Sequence, residues 1–302
     1  MIKKKLNDLD VKTYWQWKDR SRVTRFLLAG GQVRGAYTDM YLPVREMAAN
    51  HNTGPLETFL LGQVYTAASL LTLGLKGQDK RNIRQECDGP LRGFSVDVNA
   101  YGEIRGYLFV NPLPISTLHG PPDFSLIQGK GILTLTKNIE NKSVPVSGTV
   151  PLVSDYLGTN LEYYFQQSEQ TKTALIVDVD MDGAGDLFGA TGWMLQAMPG
   201  ADPQVVEDTF FHFREKAGNL DSQGEKGILS FCEDWKPEIL GHIRTEFFCH
   251  CTRDRFSKFI QAFSGEEKAD ILAKGPFPLV TTCHNCSSAY EFTKEELTEL
   301  FN

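Results

Sequence analysis

The sequence predicts an α+β protein: a mixed sheet-and-helix N-terminal core, a helical linker, and a small C-terminal zinc-binding segment. Three observations predict it. Up to residue 199, short runs of strand character, broken by Gly, Pro and Asn, surround one long apolar stretch at helical spacing. After Pro199-Gly200 the pattern turns amphipathic and helical. The last stretch then holds four of the six cysteines, as Cys249-His-Cys251 and Cys283-His-Asn-Cys286. The expected units are residues 1–199, 200–247 and 248–302.

Arg22–Ala29 and Val33–Thr38 flank Gly30-Gly31, a hairpin signal. Leu56–Lys76 sets Phe59, Leu60, Val64, Ala67, Ala68, Leu71 and Leu75 at helical spacing, which predicts a long, well-buried helix. Leu91–Val98, Glu103–Val110, Gly131–Lys137 and Ser143–Val150 read as strands. Leu161–Gln170 reads as a short helix and Thr173–Asp180 as a strand with alternating apolar positions. In the linker, Asp202-Pro203 supplies an N-cap and a proline at the first helical position. Val205, Val206, Phe210 and Phe213 follow on one face, and Gly218 fits the stop. Beyond the polar stretch Gly218–Gly227, a second apolar cluster (Ile228, Leu229, Phe231, Trp235, Ile239, Leu240, Ile243) reads as further helix that must pack on a neighbour. Thr252–Phe263 and Glu266–Lys274 read as helices, with Ser264-x-x-Glu267 as a capping box between them, and Thr293-x-x-Glu296 starts a last one. The first 20 residues, with Trp15 and Trp17, carry no pattern that places them.

The chain is 41% hydrophobic and 23% charged, with a net charge of -7, which speaks against a surface built to track phosphates. Met-Ile-Lys-Lys-Lys at the start has no apolar run behind it, so a secretory signal is not expected. No stretch reaches about 18 apolar residues without a charge, so no membrane span is expected either. The expected compartment is the cytoplasm, where clustered cysteines more often bind metal or sense redox state than staple a fold.

Four thiolates fill a tetrahedral zinc shell. A Cys-x-Cys in extended chain presents both sulfurs on one face, and a Cys-x-x-Cys in a turn does the same by curling. Each pair can therefore supply one edge of the tetrahedron, with Cys249, Cys251, Cys283 and Cys286 as the ligands. Two unlinked buried pairs are the alternative. His250 and His284 lie inside the pairs but are not needed, since four sulfurs complete the shell. A segment of this size rarely folds on its apolar core alone, so metal binding and folding should be coupled. Oxidation to a disulfide would destroy the shell, because the oxidised and zinc-bound states exclude one another. Spacing alone does not separate such a switch from a permanent structural zinc.

The run Phe248-Cys249-His-Cys251-Thr-Arg-Asp-Arg255, followed by Cys283-His-Asn-Cys286 and Tyr290-x-Phe292, resembles the redox-switch domain of the heat shock protein 33 family, which are bacterial redox-regulated holdase chaperones. In the body, Cys87-Asp88-Gly89-Pro90, Leu161-Glu-Tyr-Tyr-Phe-x-x-Ser168-Glu169-Gln170 and Gly192-Trp-Met-Leu-Gln-Ala-Met-Pro199 resemble that family's segments in the same order. The resemblance implies one zinc on Cys249, Cys251, Cys283 and Cys286 in a reduced, inactive form. It implies Cys249–Cys251 and Cys283–Cys286 disulfides on oxidation, zinc loss, unfolding of the C-terminal domain and loosening of the linker. Unfolding client proteins are then held without ATP, and the oxidised form tends to a homodimer. Cys87 and Cys232 are extra to the pattern.

Other signals are weaker. Asp178-Val-Asp180-Met-Asp182-Gly183 matches the start of a calcium loop, but the twelfth position is Gly189 where a glutamate is needed, so a hairpin turn is the better reading. Gly30-Gly31-x-Val-x-Gly35 lacks the Lys-Ser/Thr of a phosphate loop. Cys87 and Cys232 read as small packed residues. Six scattered histidines give no Ser/His/Asp constellation, so an enzyme is not expected. A zinc module for nucleic acid would want a basic face, yet residues 248–302 carry six Lys/Arg against eight Asp/Glu. A thiol oxidoreductase would place Cys-x-x-Cys early, in a βαβ setting at a helix start.

Overall fold

A computed structural model describes residues 1–114, 123–216 and 225–301. Helix α1 (Val11–Arg20) leads into the hairpin of β1 (Arg22–Leu28) and β2 (Val33–Asp39), whose turn places Gly30 and Gly31 at positive φ. Helices α2 (Tyr41–His51) and α3 (Pro55–Leu70) follow, then strands β3 (Lys80–Cys87), β4 (Gly93–Asn99) and β5 (Glu103–Leu108). Short helix α4 (Phe124–Gln128) precedes the hairpin of β6 (Gly131–Asn138) and β7 (Val146–Pro151). Helix α5 (Leu157–Ser168) precedes that of β8 (Thr173–Met181) and β9 (Leu187–Ala197). Next come helices α6 (Pro203–Lys216) and α7 (Glu225–Phe231) and strands β10 (Glu238–Arg244) and β11 (Glu246–Phe247). The C-terminal segment holds α8 (Arg253–Gln261), α9 (Gly265–Lys274), the hairpin of β12 (Leu279–Thr282) and β13 (Ala289–Phe292), and α10 (Lys294–Phe301).

Two sheets enclose α3. The first has the order β10-β1-β2-β9-β8 and the second β11-β5-β4-β3-β6-β7. The expected helix over Leu56–Lys76 is α3 plus a final 3-10 turn, Leu71–Gly74. Leu61, Val64, Tyr65, Ala67, Ala68, Leu70 and Leu71 are all buried, so the helix is apolar around its circumference, as a helix between two layers must be. Pro55–Gly74 has the length and hydropathy of a membrane span, but 72% of its most apolar window is buried inside the protein. It is a core helix.

The first sheet is covered on both faces, and period-two alternation sorts its residues. Val23, Ala36, Leu175, Val177 and Met194 face α3, whereas Phe26, Tyr37, Trp193 and Leu195 face out under the linker. There α6 lays down Val206, Phe210 and Phe213, the face read from the sequence. Asp202 caps it as expected, accepting from Gln204 N at 2.8 Å. Fully burying such side chains contributes roughly 1.5–3 kcal/mol each. Gly218 and most of the polar stretch after it lie outside the described residues.

The linker is not helical throughout. Glu238–Arg244, expected as helix, is a strand antiparallel to β1 at the edge of the first sheet. Lys236-Pro237 stops the preceding turn. Beyond it Ile239, Gly241 and Ile243 alternate with the more exposed Leu240 and His242, which is strand periodicity. The chain then crosses to the second sheet, where β11 runs parallel to β5. Gly102 makes room for the crossing: at φ 82° it accepts from Glu246 N, and a Cβ there would lie 1.9 Å from the Arg244 carbonyl oxygen. Strand β3 was not foreseen either, because its only strongly apolar residue is Ile83. It forms the middle of the second sheet by burying Arg81 against Glu169 and Gln85 against Gln128. The acidic segment after Asp178 is a hairpin turn, closed by Asp182 Oδ1 accepting from Ala184 N and Asp186 N.

Candidate metal centre

Strand β11 delivers the chain in extended form to Cys249 and Cys251. Thr252 then caps α8 by accepting from Arg255 N. At the end of β12 the chain curls so that Cys283 O accepts from Cys286 N (3.3 Å) and Ser287 N (2.7 Å), with Ser287 in the left-handed region. Cys283 N donates to Ser288 O at 2.9 Å, which closes the knuckle. The two pairs meet face to face. All four sulfurs are buried and lie within 4.8 Å of one another. The Cys249–Cys283 and Cys251–Cys286 separations are 3.9 and 3.3 Å. Zn–S bonds of about 2.3 Å imply a tetrahedron with edges of roughly 3.8 Å. Four soft, buried donors at this spacing fit a metal ion of the zinc type.

The histidines inside the pairs turn away. His250 Nε2 meets Glu103 Oε2 at 2.7 Å on the surface, and His284 lies against the Tyr107 ring. Around the sulfurs stand three groups that sequence patterning did not single out for this role. Arg105 Nη1 approaches Cys249 Sγ at 3.5 Å while its Nε holds Asp97 at 3.2 Å. Tyr290 Oη lies 3.3 Å from Cys251 Sγ and donates to Cys251 O at 3.0 Å. Ser288 Oγ accepts from the Cys286 thiol at 3.2 Å. Arg105 comes from a strand far away in sequence, so no local signal marks it.

Mutual hydrogen bonds shift three of the four sulfurs. Hydrogen bonds from the Cys283 and Cys286 thiols, then Arg105, hold Cys249 as a thiolate well below the ordinary thiol range. The same bonds to Cys249 push Cys283 up to about 11 and Cys286 higher. Cys87 and Cys232 stand apart, and burial raises both thiols, Cys232 to about 12.

The centre sits on the seam with the core. Phe248 N donates to Ile104 O and Gly106 N to Asn285 O, extending the β5 edge onto the knuckle. Asn50 Nδ2, buried on α2, donates to Cys286 O at 2.8 Å. His51 Nδ1 meets Ser287 Oγ at 2.8 Å, and burial pulls the imidazole down from 6.5 to about 4. Phe247 is fully buried between His51 and Tyr65.

The model of the Hsp33 protein family matches residues 21–293. The 33 kDa chaperonin of Geobacillus sp. (strain WCH70) is 32% identical over 289 residues, which cover 92% of this chain and 96% of that one. That of Desulforamulus reducens is 32% identical over 263 residues, 85% and 89% of the two chains. The crystal structure of the 33 kDa chaperonin (heat shock protein 33 homolog) from Thermotoga maritima superposes with a TM-score of 0.81 at 23% identity, covering 93% of this chain and 98% of that one, and shows the same fold. The chain belongs to the Hsp33 family.

Proposed function

We propose that the protein is a redox-regulated, ATP-independent holdase that works in a reducing cytoplasm and binds unfolding proteins under oxidative stress. The observation that carries this reading is the cluster of four buried sulfurs at the seam between core and C-terminal segment. A bound Zn2+ would offset part of the charge of the four thiolates and tie two distant stretches of chain into one centre. Coordinated sulfur is held as thiolate, the form an electrophilic oxidant attacks. Two thiolates, one hypochlorous acid and one proton give a disulfide, chloride and water; two such steps join Cys249 to Cys251 and Cys283 to Cys286. In the reduced cluster Cys251 lies 3.3 Å from Cys286 and Cys249 3.9 Å from Cys283, so pairing within each motif requires local rearrangement once the metal is gone.

Loss of the centre leaves the C-terminal segment with little to hold it. Strand β11, held to β5 by two residues of pairing, then loses the anchored segment that follows it in the chain. Loosening propagates back through β10 to α6 and α7, baring Phe210, Phe213 and the outer face of the first sheet to clients. The same apolar face would favour a homodimer of the oxidised form. A thiol oxidoreductase is disfavoured because Cys283 and Cys286 sit in a knuckle facing a second cysteine pair, not at the start of a helix. The test is to treat zinc-loaded protein with hypochlorite, follow zinc release with a chromogenic chelator, and measure suppression of client aggregation before and after. Activity should appear with zinc release; equal protection by the reduced form contradicts the reading.

A further inference from the structure

We propose that the first ten residues form a strap that fastens the four-thiol centre to the core and sets how readily it opens. This deepens the redox reading above and rests on it. The family match begins at residue 21, so the strap lies outside it. Its first two residues nevertheless touch both cysteine motifs. Cys249 N donates to Met1 Sδ at 3.0 Å, and the Met1 nitrogen donates to Cys251 O at 2.9 Å. Ile2 N donates to Ser288 Oγ at 2.8 Å, and Ser288 Oγ donates to Ile2 O at 3.1 Å. Ser288 is the residue whose carbonyl closes the Cys283–Cys286 knuckle.

The other end of the strap is held by α2. The Asn50 carboxamide ties two segments to α2: it donates to Ile2 O (2.9 Å) and accepts from Lys4 N (2.8 Å) of the strap, and donates to Cys286 O (2.8 Å) of the knuckle. Lys3 Nζ lies 2.6 Å from Glu46, a buried carboxylate that also accepts from Tyr14 Oη of α1. Asp8 pairs with Arg45. Asp10 caps α1, and Lys18 of that helix reaches Glu246 on the strand leading to Cys249. Residues 1–10 include no buried side chain, so the strap gains little from its own packing. Its bonds run to two bodies at once, and separating those bodies breaks them together. Such bonds add directly to the free energy of local opening.

Two variants test this: deletion of residues 2–9, and Asn50→Ala, which keeps the strap but removes its common anchor. Hydrogen exchange is measured on the reduced protein without oxidant, and zinc release under hypochlorite separately. At ordinary net hydrogen-bond strengths, losing several bonds should speed opening roughly tenfold or more. Both variants should exchange faster across 248–292 and release zinc faster, with Pro55–Leu70 unchanged. Parental exchange and release in the deletion variant would overturn the strap whatever Asn50→Ala does, because Asn50 also bonds Cys286 O directly. So would acceleration spread evenly through the core, which would mark general destabilisation. A parent that keeps its metal through oxidation contradicts the redox reading instead, and the exchange comparison still decides the strap.

Discussion

The core and the C-terminal segment solve the same problem with unequal means. The core wraps two sheets around α3 and buries a contiguous cluster of large aliphatic and aromatic side chains. Between 248 and 301, eight apolar or sulfur-bearing side chains are buried: Cys249, Cys251, Ile260, Cys283, Cys286, Tyr290, Phe292 and Leu297. Half of them are the cysteines, and no residue of α9 is fully buried. Such a segment has too little apolar area to offset the entropy of ordering its chain. Its interior is the metal centre, so one chemical event can dissolve it and spare the core.

The most severe way to break this contrast is Cys286→Ser or chelation. Zinc contributes on the order of 10 kcal/mol to the folding of small zinc domains. Residues 248–301 should lose exchange protection, whereas the thermal transition of the core stays in place. Next, polar replacement of Phe210 and Phe213 attacks the core's own lid; each phenyl ring lost there costs about 3–5 kcal/mol. Reduced protein so altered should suppress client aggregation without oxidant. No activity would count against linker packing as the lock.

Acid acts on the seam. His51 is neutral when docked, with its pKa lowered by burial to about 4 from 6.5. The unfolded form therefore binds more protons between those values, and stability rises with pH across that window. Docking should be complete above 6.5 and weaken by about 1.4 kcal/mol per pH unit below it. His51→Gln should flatten this dependence in thermal melts between pH 7 and 5. The smallest effect belongs to the capping box of α9, where Ser264 and Glu267 bond reciprocally. Ser264→Ala should cost about 1 kcal/mol, visible as faster exchange in α9 alone.

The parts legible in the sequence are those whose signal is local. The four cysteines, the Asp202 and Ser264 caps, the face of α6 and the α3 stretch each carry pattern within a few residues. Strand β3 was hidden because its partners, not its composition, make it a strand: Arg81 and Gln85 are buried only because Glu169 and Gln128 meet them. Strand β10 was hidden because a cluster of Ile239, Leu240 and Ile243 satisfies a helical stripe as well as an alternating one, and β1 decides between them. Arg105, Asn50 and the strap reach the centre from distant elements, and no spacing could reveal them.

The central claim is that the C-terminal segment keeps its fold only while the four-thiol centre is intact. Hydrogen exchange of the zinc-loaded protein, before and after stoichiometric hypochlorite, tests it most directly. Protection should vanish across 248–301, fall in Pro203–Lys216 and Glu238–Arg244, and persist in Pro55–Leu70. Retained protection across 248–301 after all zinc has left would contradict the account.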